Sequence, residues 1–290
     1  ILMGSKNQGQ GHETIFRQIV AERFGIDPSE IQNIDGDTDR VAFGIGTNGS
    51  RSTVIGGTAL WQAADKIIAK GKKVAAHFLE ADAQDIEFSN GLFTVKGTDR
   101  GMSLTEAAKS AFMHAKLPPG LEGGLFETST FSPTAETYPN GAHACEVEID
   151  PDTGQVDLLS YAVVDDVGTV INPVGLKGQI HGGIAQGVGQ ALMEEVVYDR
   201  DSGQLLSGSF MDYTMPRADT TCAIQVESNP VPTKLNSLGA KGAGEAGTVG
   251  ALPAVMNAVL DALATVGVTE LDMPATSERV WQAIQGAKSE

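Results

Sequence analysis

The chain predicts an α+β fold with mixed or antiparallel sheets and packed helices, and three observations carry that expectation. Helix-like and strand-like stretches are interleaved without regular βαβ alternation. The turn signals Asn90-Gly91 and Asp150-Pro151-Asp152-Thr153-Gly154 each separate two apolar runs, as in antiparallel hairpins. Of the 35 glycines in the 290 residues, several cluster in three loops that run straight into helix starts.

The elements come in this order. Ile1-Leu2-Met3 reads as the middle of a strand entering a glycine loop, as expected of a fragment of a longer chain. Glu13 to Phe24 carries Ile15, Ile19 and Val20 at helical spacing and stops at Gly25. A strand-like stretch runs from Ile31 to Ile34. Thr53 to Lys70 places Leu60, Ala63, Ala64, Ile67 and Ile68 on one helix face, fed by the loop Gly44 to Ser52. Ile86 to Val95 is a hairpin around Asn90-Gly91, because that pair accepts the positive φ of a tight turn. Ser103 with Glu106 forms a capping box for a helix through Phe112.

Pro118 to Pro139, rich in Gly, Ser, Thr and Pro, is the expected internal boundary, giving lobes 1–130 and 131–290. In the second lobe, Ala144 to Ile149 and Gln155 to Val164 form another hairpin. Gly175 to Glu194 is helical in pattern yet carries Gly178, Gly182, Gly183, Gly187 and Gly189, which points to close approach of another backbone or a ligand. Thr248 to Val266 shows a stripe of Leu252, Val255, Met256, Val259, Leu260 and Leu263, with Pro253 expected in its first turn. A last helix spans Arg279 to Ile284.

Composition narrows the function. With 20 Lys+Arg against 37 Asp+Glu the formal charge is −17, which repels a polyphosphate backbone and argues against a nucleic-acid partner. The only cysteines, Cys145 and Cys222, supply neither a disulfide framework nor an iron–sulfur or four-ligand zinc site, and the five histidines show no metal-ligand spacing. No side-chain metal site is expected. No signal-peptide pattern and no membrane span are evident in the sequence, so the expected location is cytoplasmic.

The chemistry concentrates in Lys241-Gly242-Ala243-Gly244-Glu245-Ala246-Gly247. A lone carboxylate among small residues can approach a bound group unobstructed, as a general base must, so Glu245 is the candidate catalytic residue. Two glycine loops match the dinucleotide fingerprint, Gly44-Gly46-Gly49 and Gly242-Gly244-Gly247, which keeps a Rossmann-type nucleotide-binding enzyme open as an alternative. Glycine-flanked N–H groups at a helix start also make a general anion site. Several such loops together, with donors such as Gln8, Gln10, Arg51, Gln179, Gln186 and Lys241, favour a large polar cofactor. Singly, Arg51, His12, His181 or the Asp165-Asp166 pair could each be structural.

Six stretches in order carry a resemblance: Gly9 to Thr14 (GQGHET), Gly49 to Thr53 (GSRST), Val163 to Pro173 (VVDDVGTVINP), Gly178 to Gly189 (GQIHGGIAQGVG), Phe210 to Tyr213 (FMDY) and Gly239 to Gly247 (GAKGAGEAG). The chain resembles the molybdenum-binding large subunit of the xanthine dehydrogenase family, nearest the aerobic carbon monoxide dehydrogenase-like large subunits. That family's large subunit is longer, so the chain looks like its C-terminal portion.

The resemblance implies a fold of the molybdenum-cofactor-binding type. It implies molybdopterin with molybdenum, in the cytosine dinucleotide form common in bacterial members, with the metal held by the cofactor. Carried onto this sequence, Gln8, Gly9, Gln10, Gly11, His12 and Thr14 line the dinucleotide part, and Ser50, Arg51, Ser52 and Thr53 contact phosphate or pterin. Asp165, Asp166, Asn172 and Gln179 border the pterin, and Lys241 with Gly242 leads into Glu245. Glu245 then takes a proton from the water-derived oxygen that attacks an electron-poor carbon of an aldehyde, N-heterocycle or carbon monoxide-like substrate.

Two residues depart from the family's pattern: Asn48 stands where relatives often carry an aromatic residue, and Val167 where carbon monoxide enzymes resemble a cysteine. The implied partners are the remainder of the large subunit, an iron–sulfur small subunit and an FAD-binding medium subunit, in a homo-oligomer of the complex. The alternative is a cofactor-binding or assembly module without activity on its own.

Overall fold

The computed structural model describes residues 1–288. They form two compact units, one of residues 1–136 with 234–240, the other of residues 137–233 with Lys241 onward. The segment 234–240, placed by the sequence reading in the second lobe, thus belongs to the first unit. Asn236 closes it into a loop, donating from Nδ2 to the Ala240 carbonyl (2.9 Å) and accepting the Ala240 N–H (3.1 Å). Leu238 fills the space beside Gly57, where an added Cβ would lie 2.8 Å from its methyl.

In the first unit, β1 (Leu2–Met3) and β2 (Ile34–Asp35) pair in parallel on either side of helix α1 (His12–Phe24). Ile31 ends a 3-10 turn instead of extending β2, because Asp27 caps that turn through the Ser29 N–H. A π-helical turn at Ser52–Gly57 leads into α2 (Thr58–Phe78), which outruns the expected end at Lys70. Gly71 does not stop the helix. It makes room for the Phe93 ring, whose Cζ would lie 2.3 Å from a Cβ there. Strands β3 (Ile86–Ser89), β4 (Leu92–Val95) and β5 (Gly101–Ser103) form an antiparallel sheet turned at Asn90 (φ 48°) and Gly91 (φ 71°). Helix α3 (Leu104–Ala111) starts from the expected capping box. The core gathers Phe24, Ile68, Ala75, Ile86, Phe93 and Ala107.

In the second unit, β7 (Val156–Asp166) lies between β6 (Asn140–Ile149), antiparallel to it, and β8 (Ile224–Ser228), parallel to it. Helix α4 (Pro173–Leu192) lies in the crossover from β7 to β8, and α5 (Ala246–Ala264) and α6 (Ser277–Ala287) complete the unit. The α+β expectation holds. The fingerprint reading does not: among the described residues, neither glycine triplet comes directly after a strand of these sheets, so the strand–turn–helix context of a Rossmann site is missing at both.

The glycines of α4 explain themselves here. A Cβ on Gly183 would lie 2.9 Å from the Thr248 nitrogen and 3.0 Å from the Gly247 Cα, and one on Gly187 2.6 Å from the Ala251 Cβ. A Cβ on Gly247 would lie 2.5 Å from the Ile180 carbonyl oxygen. The two helices therefore touch backbone to backbone, and Thr248 Oγ1 donates to the Gly183 carbonyl at 3.0 Å. Ile180, Ile184, Val188, Val255, Val259 and Leu263 are buried around that contact.

Pro253 lies inside α5, not in its first turn, because the helix already begins at Ala246. Proline leaves the Val249 carbonyl without its helical partner, and the 68% exposure of Val249 opens that turn to water. Helix α5 is long and apolar enough to cross a membrane by length and composition alone. Here its apolar stripe packs in the core of the second unit.

The contrast among the α4 glycines is testable by denaturant unfolding. Gly183→Val should cost about 1–3 kcal/mol, because the atoms it meets are backbone and cannot swing aside. Gly178→Ala should instead gain about 0.5–1 kcal/mol, since nothing lies within 4 Å of its Cβ and alanine is the better helix former.

Candidate functional site

In the first unit, two loops are joined at their base. A Cβ on Gly44 would lie 2.2 Å from the Gly4 carbonyl oxygen, so the chains cross there only as glycines. Gly46 N–H donates to the Gly4 carbonyl (3.3 Å), Lys6 N–H to Thr47 Oγ1 (3.2 Å), and Thr47 Oγ1 to the Lys6 carbonyl (2.6 Å). The structure thus brings the Gln8 to Thr14 loop and the Ser50 to Thr53 loop into one assembly.

Within it, Gln8 N–H donates to Gln10 Oε1 (2.6 Å), Gln10 Nε2 to Gln8 Oε1 (3.1 Å), and Gly9 N–H to Asn7 Oδ1 (3.1 Å). Gly11 holds φ 75°, ψ 26° at the N-cap of α1 with no side-chain cap. Ser50 takes φ 53° beside Arg51 at φ −105°, ψ −6°. A left-handed residue followed by a right-handed one turns successive N–H groups to one side, making an anion nest. Nothing lies within 4 Å of a Cβ built on Gly9, Gly11, Gly46 or Gly49, so both loops present open backbone. Thr14 is exposed on the first turn of α1, and Arg51, Ser52 and Thr53 are half-buried.

His12 begins α1 buried, its ring 5.5 Å from that of Phe16 and its Nδ1 without a partner. Burial holds its pKa below 6.5, with Asp35 opposing, so the imidazole is neutral near pH 7. Ser5 Oγ beside the same loop is also buried and unpartnered.

In the second unit, Asp165 and Asp166 end β7. Asp165 is buried, with Oδ1 3.4 Å from His143 Nε2 and Oδ2 without a partner, and His143 Nδ1 lies 2.8 Å from the Tyr161 hydroxyl. A Cβ on Gly250 of α5 would lie 2.4 Å from that imidazole. Burial raises the Tyr161 pKa, as does the nearby Cys145, and the phenol stays protonated. Asp166 accepts the Gly168 N–H (2.8 Å) and Val231 N–H (2.9 Å) on Oδ1 and pairs with Lys241 Nζ through Oδ2. Desolvation pushes the Asp166 pKa up, but the bonds from Lys241, Val231 and Gly168 outweigh it and hold the carboxyl below its ordinary range.

Asn172 caps α4 by accepting the Gly175 N–H at 2.6 Å, and Gln179 lies half-buried about two turns on. Gly178 and Gly182 leave an open strip along α4, and His181 Nε2 between them is buried and unpartnered. Lys241 is tied to β7, Gly242 is buried, and Glu245 takes the N-cap position of α5 with its side chain exposed in this chain. Gly247, two residues after Glu245, rests on the Ile180 carbonyl of α4. In the FMDY stretch Tyr213 donates to Glu194 Oε2 at 2.5 Å, while Phe210 and Met211 are 85% and 92% exposed.

The sequence reading missed the His143–Tyr161 pair and the Val231 N–H. His143 had a signal: residues 143, 145, 147 and 149 alternate inward with the period of a strand, so the histidine shares the core face. Val231 had none, since a backbone N–H has no side-chain signature.

Open glycine backbone with nested N–H groups, a buried neutral imidazole and an orphaned hydroxyl suit a ligand that offers phosphate oxygens and hydrogen-bonding ring edges. These define a cofactor-binding class of protein. Residues 1–222 match the family model described as the molybdopterin cofactor-binding domain, and the chain belongs to that family. It is 41% identical over 284 residues to the carbon monoxide dehydrogenase large chain of Hydrogenophaga pseudoflava, covering 98% of this chain and 35% of that one. It is 38% identical over 289 residues to the nicotine 6-hydroxylase large subunit of Paenarthrobacter nicotinovorans, with 99% and 35% covered. Its fold matches the reconstituted carbon monoxide dehydrogenase from Oligotropha carboxidovorans with a TM-score of 0.91 at 38% identity, over 99% of this chain and 36% of that one. The chain spans about a third of the length of these relatives.

The Asp166 anchor predicts an acid response. A carboxyl whose folded pKa lies below its unfolded value near 3.8 contributes stability that is complete above that value and lost as pH falls through the lowered one. Asp166→Asn should therefore be less stable than the parent at neutral pH, and the gap should close between about pH 5 and pH 2 in denaturant titrations.

Proposed function

We propose that the chain is the C-terminal part of the molybdenum-binding subunit of an oxidoreductase that hydroxylates or oxidises an aldehyde, an N-heterocycle or a carbon monoxide-like substrate, with water as oxygen donor. The observation that carries this reading is the setting of Glu245. It is an exposed carboxylate between glycines at the start of a 19-residue helix whose first turn is seated on α4. The similarity to a carbon monoxide dehydrogenase large chain and a nicotine 6-hydroxylase large subunit supports it.

The bound molybdenum cofactor supplies the two-electron acceptor. Gln8, Gly9, Gln10, Gly11, His12 and Thr14 would hold its dinucleotide part, in the cytosine form. Ser50, Arg51, Ser52 and Thr53 would hold phosphate or pterin through the nest at Ser50–Arg51 and the side-chain donors. Asp165, with its unpartnered Oδ2, would border the pterin together with Asn172, Gln179 and Gly242, backed by Asp166 and Lys241, whose side chains are paired with each other. A carboxylate oxygen of Glu245 would take the proton of the attacking water-derived oxygen as it bonds to the electron-poor carbon. With an aldehyde or N-heterocycle the new C–O bond would replace a C–H bond, whose two electrons the cofactor would accept, while Glu245 would carry off the O–H proton.

Electrons would pass to an iron–sulfur small subunit and an FAD-binding medium subunit, in a homo-oligomeric complex that includes the rest of the large subunit. The two free thiols, Cys145 and Cys222, suit a reducing compartment such as the cytoplasm. The isolated chain, a third of its relatives' length, would bind cofactor weakly and be inactive alone.

Two variants in the full complex test this reading. Glu245→Gln should keep the molybdenum content and lower turnover by about 10²- to 10⁴-fold in dye reduction with carbon monoxide, nicotine and benzaldehyde as probes. Full turnover on the probe that the parent oxidises would remove Glu245 from the role. Arg51→Ala should instead lower bound molybdenum and pterin, read by metal and pterin analysis, and an unchanged content would make Arg51 structural.

A further inference from the structure

We propose that Asp166 is a positioning residue: its carboxylate fixes the stretch that carries Glu245 to the end of β7 and so sets the direction from which Glu245 reaches the substrate. The inference rests on the reading of Glu245 as the base.

Two fixed points flank Glu245. On the α5 side, Gly247 rests on the Ile180 carbonyl and Thr248 Oγ1 donates to the Gly183 carbonyl at 3.0 Å. On the other side is Lys241, bound twice at the β7 terminus: its N–H donates at 2.8 Å to the carbonyl of Val167, the residue after the strand, and its Nζ to Asp166 Oδ2. The lysine and aspartate side chains are only 12% and 13% exposed, so this pair is shielded from water. Between the fixed points lie Gly242, Ala243, Gly244, Glu245 and Ala246. None of the four small residues has a polar side chain with which to hold its own place. The Ala246 N–H reaches the Ala243 carbonyl at 3.4 Å and the Val249 N–H the Glu245 carbonyl at 3.0 Å, so residues 243–249 run on as the start of α5, and Lys241 is where that run is tied to the β7 terminus.

Asp166 is suited to act as the fixed end because it is itself held in place. Its Oδ1 accepts the N–H groups of Gly168 and Val231, which join the β7 terminus to the chain after β8. Oδ2 is left for Lys241. One carboxylate thus ties three separate stretches together, and the stretch that it aims is the one ending at the proposed base. A role in stability alone would need the bonds but would be indifferent to the identity of the residues beyond Lys241.

A cycle in the full complex tests this, using Asp166→Asn, Lys241→Met and Glu245→Gln with the probe that the parent oxidises. Displacement of a reacting group by about 1 Å can cost roughly 10²-fold, so Asp166→Asn should lower kcat by about 10- to 100-fold. KM and molybdenum content should stay at parent values. Lys241→Met, which spares the Gly168 and Val231 bonds, should do the same, and Lys241→Arg should restore most of the turnover. Hydrogen exchange of the 241–249 amides should quicken in both weakened variants while that of 180–192 does not. In the Glu245→Gln background Asp166→Asn should add no further loss, because a residue acting through the base has nothing left to position.

Multiplying losses, a fall in molybdenum content, unchanged kcat, or collapse of both Asp166→Asn and Lys241→Met would each overturn the proposal. A fully active Glu245→Gln would instead overturn the reading of the base, which keeps the two failures apart.

Discussion

The second unit depends on a contact without side chains. Helices α4 and α5 meet at Gly183, Gly187 and Gly247, where main-chain atoms occupy the places of the missing Cβ groups. The loss of helix propensity that these glycines impose is offset by burial of the apolar stripes around them, from Ile180 and Ile184 to Val259 and Leu263. The close approach carries the start of α5, and with it Glu245, onto a defined turn of α4.

Electrostatics complete what packing begins. Buried acids are costly unless satisfied, and the two acids that end β7 are treated differently. Asp166 is fully engaged by Lys241 and two N–H groups. Asp165 has only the more distant His143 on one oxygen and nothing on the other. Along with His12 and His181, it belongs to a small set of buried groups that retain unspent hydrogen-bonding capacity. Such groups are unusual in a protein that otherwise satisfies its polar interior; His12, Asp165 and His181 fall on segments that resemble cofactor-binding motifs, whereas Ser5, Arg17, Asn33 and Thr58 lie outside them.

How much of this was legible in the sequence depended on range. The capping box at Ser103, the Asn90-Gly91 hairpin and the apolar stripe of α5 are local patterns, and each appears in the structure. The glycine loops were legible as loops, and their φ values at Gly11, Gly46 and Gly49 show why glycine stands there. The illegible features join residues far apart: Lys241 meets Asp166 across 75 residues, and segment 234–240 returns to the first unit. Gly71, just past the expected end of α2, and Pro253 mark a different kind of departure. Each breaks a rule for isolated helices, and each is permitted by its surroundings, a phenyl ring needing space in one case and a water-facing turn in the other.

The crossing of Gly4 with Gly44, locked by the reciprocal bonds of Lys6 and Thr47, makes two loops some forty residues apart into a single heritable unit. A change that shifts one loop is transmitted at once to the other, so neither can drift independently. Variation in this surface across descendants should therefore be concerted, with paired changes at the crossing or none. Diversification of the protein is then channelled toward regions outside the crossing, where a single substitution can act without a companion.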